Sequence, residues 1–222
     1  MLKVHHLNNS RSQRIIWLLE ELELDYEIIH YQRDKETMLA PEELKNIHPL
    51  GKSPVLQDDV EIIAESGVIV EYLLKKYGRG DLSYPEDLLH QTKQSYWFHY
   101  SEGSLMPPLL LKLVFDKISD APVPFFIKPI INKITEKVMD GFVLPNVKRN
   151  MGFIENHLDG VDFFMGDKLT GVDIMMSFPL EAGMSRMPNR DDYPIISGYL
   201  DRIHARKHYK TAIEKGGEYV YS

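Results

Sequence analysis

Three short stretches of this chain hold side chains that can do chemistry. Asn8, Asn9 and Ser10 put two amides and a hydroxyl where an apolar run gives way to a helical pattern. Lys52, Ser53 and Pro54 lie in a loop, and Glu65-Ser66 stands where another helix should begin. A helix N-terminus offers unpaired N–H groups that attract carboxylates, and a serine hydroxyl adds a hydrogen bond. Glu65 supplies the opposite charge, suited to an ammonium group. Glu65-Ser66 therefore reads in two ways, as a ligand site or as an N-cap serine beside a solvated glutamate. Ser10 has two readings as well. Ser10, Arg11, Ser12 and Gln13 have the form of a capping box, with serine as N-cap and glutamine at N3. A hydroxyl at a helix start, backed by the helix dipole, also suits the stabilisation of an anion such as a thiolate.

The chain contains no cysteine. That removes disulfides, thiolate metal sites and any thiol nucleophile of the protein's own, and it fits a reducing compartment. Sulfur chemistry here must use a thiol carried by a ligand. His204 and His208 have the i, i+4 spacing of a metal pair, but no third ligand is evident and Arg206 and Lys207 lie between them. A solvated helix face is the expectation there. His5 and His6 point to opposite sides of a strand, so no metal site is expected.

The elements around these residues fall into two groups. Residues 2–7 form an apolar run ending at Asn8-Asn9, and Ile15, Leu18, Leu19 and Leu22 then line one helix face. Residues 26–31 read as a second strand and 41–47 as a short helix opened by proline. Two prolines and a glycine make 48–54 a loop. A short hairpin follows, and the helix from Ser66 stops at Gly78. The order is β-α-β-α-β-β-α. Residues 79–87 read as a linker, and beyond them only helical patterns occur. Residues 88–115 form a long helix that Pro107-Pro108 should kink or break. Residues 116–130 are expected to be a loop leading into a helix, 138–157 another helix, and 199–212 a last one. Thr170 and Asp173 form a capping motif ahead of an apolar segment.

The 222 residues, at about 150 per domain, allow one large domain or two small ones. Hydrophobic residues make up 43% of the chain, an ordinary globular share. Both parts are acidic: residues 1–80 carry 10 basic and 14 acidic side chains, and residues 81–222 carry 16 and 19. That balance argues against nucleic acid and anionic membranes as partners. The longest apolar stretch, 105–115, is interrupted and too short to span a bilayer. Residues 1–6 do not form a signal peptide, so a cytoplasmic protein is expected.

Four segments in this order resemble the cytosolic glutathione transferases: SRSQRIIWLLEEL at 10–22, NIHPLGKSPVL at 46–56, AESGVI at 64–69 and LTGVD at 169–173. The chain is most similar to the fungal, yeast-type members and their bacterial relatives, with EGSLMPP at 102–108 and SFPL at 177–180 extending the likeness. The resemblance implies an α/β thioredoxin-like domain over 1–78, a linker over 79–87, and an all-α helical bundle over 88–222 that contributes the electrophile site. It implies glutathione as co-substrate, with no metal. Pro54 matches the family's cis-proline, which lets Ser53 pair its backbone with the ligand's cysteinyl unit. Glu65 and Ser66 match the γ-glutamyl site, and Lys52 is within the loop that could meet the glycyl carboxylate. Ser10 aligns with the serine that theta-like classes use at the sulfur. Asn9 falls where beta-class members carry cysteine, and Asn8 and Asn9 remain alternatives to Ser10. A free thiol has a pKa of about 8.5. Lowering it by about two units takes roughly 2.7 kcal/mol of preferential thiolate stabilisation.

The implied activity is conjugation of that thiolate to small hydrophobic electrophiles, with hydroperoxide reduction beside it. Detoxification in a homodimer, built through the helices after Ser66 and Pro85, goes with the family. A catalytically silent binding or regulatory module on the same fold is one alternative, and a glutathione-dependent disulfide reductase is another. Tyr96, Tyr100, Leu105, Met106 and Met184 are candidates for the electrophile wall, though such residues more often belong to a core.

Overall fold

The computed structural model describes residues 1–187 and 190–221. Strand β1 (Leu2–Leu7) is buried on both faces and runs through the middle of a four-stranded sheet. It pairs in parallel with β2 (Tyr26–Tyr31) and antiparallel with β3 (Val55–Asp58), which forms a hairpin with β4 (Glu61–Ala64). The parallel pair requires a crossover, and α1 (Gln13–Glu21) provides it. Ile15, Ile16, Trp17, Leu18 and Leu19 are all buried, because α1 meets the sheet, α2 (Ser66–Tyr77) and two later helices at once. Gly78 ends α2 where a Cβ would sit 2.1 Å from the Leu74 carbonyl oxygen, so only glycine fits.

The helical part contains α3 (Leu88–Tyr100), α4 (Met106–Asp120), α5 (Lys128–Val138), α6 (Leu144–His157), α7 (Gly171–Met184), α8 (Pro194–His204) and α9 (Lys207–Gly216). Helix α7 is buried along its whole length and forms the centre of this part. The expected class, a thioredoxin-like α/β unit followed by helices, is the one found.

Several local expectations differ. The long helix over 88–115 is interrupted by a π-helical turn at Ser101–Leu105, immediately ahead of Pro107-Pro108. A second π-helical turn, Met139–Val143, precedes Pro145 and divides 138–157. Each widened turn eases the clash between a proline ring and the carbonyl four residues earlier. Residues 116–120 continue α4, leaving a connection only from 121 to 127 before α5. The expected last helix, 199–212, breaks between α8 and α9, where Arg206 is extended. Arg206 instead reaches Glu21 on α1 through Nε at 2.6 Å and Nη2 at 2.9 Å. This break also separates His204 from His208. Each ring faces a buried carboxylate rather than solvent, Glu181 at 3.2 Å and Glu21 at 3.4 Å.

The capping box at Ser10 is absent as well. Helix α1 begins at Gln13, with Ser12 in the cap position and neither side chain capping. Tertiary partners take those groups: Ser12 Oγ lies 2.8 Å from His6 Nδ1, and Gln13 Nε2 donates to the Ala212 carbonyl at 2.7 Å. Thr170 and Asp173, by contrast, form the expected capping box on α7.

Asp58 ties β3 to α2. Its carboxylate accepts from Tyr72 at 2.8 Å, Tyr77 at 2.6 Å and Lys76 at 2.6 Å. Burial alone would raise its pKa, but these bonds and the Lys76 charge hold it at about 2. The unfolded carboxyl titrates near 3.9. Asp58 therefore contributes stability that is fully present above about pH 4 and is lost as pH falls towards 2. In urea titrations through this acid range, Asp58→Asn should lose less stability than the parent chain. Parallel losses in both proteins would assign the acid sensitivity elsewhere.

Candidate active site

A cavity of about 310 Å³ opens at the edge of β3 and the start of α2. Lys52, Ser53, Pro54, Glu65 and Ser66 all line it. The Ser53–Pro54 peptide bond is cis. The Ser53 hydroxyl donates to the His5 carbonyl at 2.8 Å and accepts from Leu7 N–H at 3.2 Å, which ties the loop to β1. Val55 lies opposite Ala64 in the β3–β4 ladder. Two residues earlier Ser53 would face Ser66, but there the chain has already turned into α2. The strand edge at Ser53 is thus open towards the cavity, a geometry suited to a peptide-like ligand.

Glu65 makes that turn with φ of 72°. A non-glycine residue in such a conformation costs about 1–3 kcal/mol. The strain brings the exposed Glu65 carboxylate beside Ser66 at the start of α2. Glu65 holds the cap position without capping the helix, so the first-turn N–H groups are available to a ligand. Ser66 is the first helical residue and not the N-cap.

Ser10 lines neither this cavity nor its neighbour. Its hydroxyl is buried, 2.8 Å from Ser12 Oγ, and also accepts from Ser12 N–H at 3.3 Å. Ser12 Oγ continues the chain to His6. Burial and the neighbouring His30 push the His6 imidazole down to about 4, so it is neutral at pH 7. The residues on either side of Ser10, Asn9 and Arg11, both line the neighbouring cavity, of about 400 Å³. The two cavities share Arg11 and Leu110 as walls. Asn8 turns away, its side chain accepting from Arg33 N–H at 2.9 Å.

Of the candidate electrophile-wall residues, Met106 lines the second cavity. Tyr96 and Tyr100 face a different groove, and Leu105 and Met184 are fully buried core. The aromatic and methionine pattern alone could not separate these fates.

Glu102 is the part of the site that residue spacing did not single out. It lines the first cavity, pairs with Arg11 Nε at 3.1 Å, and also bonds Arg14 Nη2. Burial would raise the Glu102 carboxyl, but the Arg14 and Arg11 charges hold it below its ordinary value. Arg14 is itself 2% exposed and donates through Nη1 to the Met175 carbonyl at 2.6 Å. That carbonyl is free because Pro179, four residues on in α7, has no N–H. Ser101 Oγ bonds the same oxygen at 3.0 Å. The sequence signal was present in pieces: arginines at i and i+3 across the start of α1, one glutamate in a π-helical turn, and a proline inside an apolar helix. Among the described residues no group of three or more His, Asp or Glu side chains could hold a metal ion, and no helix is long and apolar enough to cross a membrane.

Comparison with known proteins agrees with this architecture. Residues 1–75 match the glutathione S-transferase N-terminal domain family, and residues 114–207 match its C-terminal domain family. The chain is 38% identical to glutathione S-transferase 1 of Saccharomyces cerevisiae, covering 97% of this chain and 95% of that protein. It is 34% identical to glutathione S-transferase 3 of Schizosaccharomyces pombe, covering 97% and 88% respectively. Among solved structures, a glutathione S-transferase from Actinobacillus pleuropneumoniae superposes with a TM-score of 0.79 at 33% identity, covering 99% of this chain and 94% of that one. With matches to both domains and near-complete coverage of relatives above 30% identity, the chain belongs to the glutathione S-transferase family.

Proposed function

We propose that this protein transfers the glutathione thiolate to small electrophiles, with the first cavity holding glutathione and the second the electrophile. The observation that carries this reading is the gathering of Lys52, Ser53, Pro54, Glu65 and Ser66 around one cavity that shares a wall with another. In this proposal Ser53 pairs its backbone with the cysteinyl unit. The Glu65 carboxylate takes the γ-glutamyl ammonium, and Ser66 with the first turn of α2 takes its carboxylate. Lys52 meets the glycyl carboxylate. The thiol proton leaves to solvent, and the thiolate, stabilised by the Ser10 hydroxyl, attacks the electrophilic carbon as the leaving group departs with its electron pair. Reduction of a hydroperoxide is the second reaction proposed: the thiolate attacks the terminal oxygen, the O–O bond breaks and the alcohol leaves, and a second glutathione reduces the resulting sulfenic acid, giving glutathione disulfide and water.

The reading includes functional units at 1–78 and 88–222, joined by 79–87. It also includes a cytoplasmic homodimer built through α2 and α3, where exposed Val68, Leu88 and Leu89 support an interface. Turnover of a simple aromatic halide with glutathione tests the transferase reading against a silent binding module. Tight glutathione binding without turnover of any electrophile, hydroperoxide or disulfide would favour the module. Glu65→Ala should remove a charge-assisted contact of about 2 kcal/mol and raise the glutathione KM roughly 30-fold. An unchanged KM in that variant refutes the anchoring role of Glu65.

A further inference from the structure

The second cavity is apolar in part and strongly charged in part. Met106, Leu113 and Phe178 supply the apolar surface, while Arg11, Arg33, Lys117 and Arg186 also line it. Among the described residues no aspartate or glutamate does. The four cations come from the turn before α1, the segment after β2, helix α4 and the end of α7, so only the tertiary fold brings them together. Arg11 is partly neutralised by Glu102. The others are not: among the described residues no carboxylate lies within ion-pair distance of Arg33, Lys117 or Arg186.

The two arginines are held by neutral groups instead. Arg33 donates to the Met38 carbonyl at 3.0 Å and the Asn9 carbonyl at 3.5 Å. Arg186 donates to the Tyr221 hydroxyl at 3.0 Å, and its guanidinium lies 5.3 Å from the centre of that ring. Guanidinium groups fixed in this way retain donors for a planar oxyanion and are less strongly hydrated than an ammonium. A concave wall of one sign concentrates its field inside the cavity. On a chain whose formal charge is −7, three cations without a carboxylate partner among the described residues, around one half-enclosed space, are a local reversal. A cavity built only for neutral hydrophobic molecules has no use for them.

We propose that the second cavity selects organic anions: its electrophile carries a carboxylate or a similar oxyanion on an apolar body. Arg33 and Arg186 bind the charged group, Lys117 adds long-range attraction, and Met106 and Phe178 pack the body. This rests on the glutathione-transfer reading and narrows its substrate class.

A matched pair of substrates tests it: a chlorodinitrobenzoate with both nitro groups ortho to chlorine, and its methyl ester. In each, the glutathione sulfur forms a bond to the chlorine-bearing carbon, the C–Cl bond breaks, chloride leaves with the electron pair, and the thiol proton passes to solvent. With each kcat/KM divided by the uncatalysed thiolate rate, the acid should exceed the ester by about tenfold or more. The ratio should fall as salt rises from about 0.02 M to about 0.5 M. It should approach unity in the double variant Arg33→Gln/Arg186→Gln and recover in part in Arg33→Lys/Arg186→Lys. A ratio of one in the parent protein, or a ratio indifferent to both double variants, overturns the proposal.

Binding of dinitrobenzoate without the chlorine, followed by calorimetry on protein with an unaltered circular dichroism spectrum, separates the two readings. The glutamine variant should weaken it about tenfold or more. Arginine-dependent binding with neither chloro compound turned over would sink the transfer reading and keep the anion site. Turnover of the ester with arginine-independent binding would do the reverse.

Discussion

Ser10→Ala should lower kcat for glutathione and an aromatic halide by about 100-fold, while the glutathione KM changes little. The hydroxyl is buried and engaged, so the expectation depends on where its proton lies. The Ser12 hydroxyl meets Ser10, His6 and the Leu7 carbonyl, and the Ser10–Ser12 bond can be donated from either side. In one arrangement, neutral His6 carries its proton on Nδ1 and donates to Ser12 Oγ, which also accepts from Leu7 N–H and donates to Ser10. The Ser10 oxygen then accepts twice, from the Ser12 hydroxyl and N–H, and its own proton is free for an outside acceptor. In the other, Ser10 donates to Ser12 and has nothing to give a thiolate.

Only the first arrangement supports catalysis by Ser10. The variant should therefore also raise the pKa seen in the pH–kcat profile towards that of a free thiol, about 8.5. An unchanged kcat and an unchanged profile would move the role to Asn8, Asn9 or a backbone N–H.

Asp173→Ala should cost about 4 kcal/mol of folding stability, a large share of the 5–15 kcal/mol a domain has. The carboxylate is fully buried in the first turn of α7. Oδ1 accepts from Phe164 N–H at 3.0 Å and the Tyr199 hydroxyl at 3.1 Å, and Oδ2 from Thr170 N–H at 2.8 Å and the Thr170 hydroxyl at 3.0 Å. Removing it leaves buried donors without partners, at about 1–3 kcal/mol each, and removes half of a capping box worth about 1 kcal/mol. Urea unfolding measures the loss. A cost below about 1 kcal/mol would mean that water or a rearranged Thr170 replaces the carboxylate.

The two predictions concern residues of unequal legibility. Thr170 and Asp173 cap their own helix through Oδ2, and their spacing states that part of the arrangement in full, while the bonds from Phe164 and Tyr199 to Oδ1 come from the fold. Ser10 and Gln13 have the same capping-box form, yet Ala212 on a distant helix claims the Gln13 amide, and the Ser10 hydroxyl bonds Ser12, whose own hydroxyl meets His6 and Leu7 of β1. Local pattern is decisive where no tertiary partner competes. The same contrast runs through the helices. Prolines at 107, 108 and 145 marked the breaks, and the breaks take the form of π-helical turns rather than loops. The split between α8 and α9 carried no glycine or proline signal, and Arg206 is extended where it reaches Glu21 across to α1.

In the candidate site, Lys52, Ser53, Pro54, Glu65 and Ser66 were named through the family resemblance, which rests on short contiguous segments, and the fold gathers all five around one cavity. Glu102, Arg14 and the carbonyl freed by Pro179 were not singled out, since their relation exists only after α1, α7 and the turn between α3 and α4 have packed together.

By itself the sequence determined the order of elements over residues 1–78, the family's segments and, through the absence of cysteine, that any reactive thiol must come from a ligand. Those are properties of single positions and near neighbours. Tertiary structure decided that Ser10 sits behind the cavities rather than in them. It also decided that Arg11 is shared between them, and that Arg33, Lys117 and Arg186 converge from distant parts of an acidic chain. Charge convergence depends on distances in space, because Coulomb interactions act between groups that packing brings close, whatever their separation along the chain.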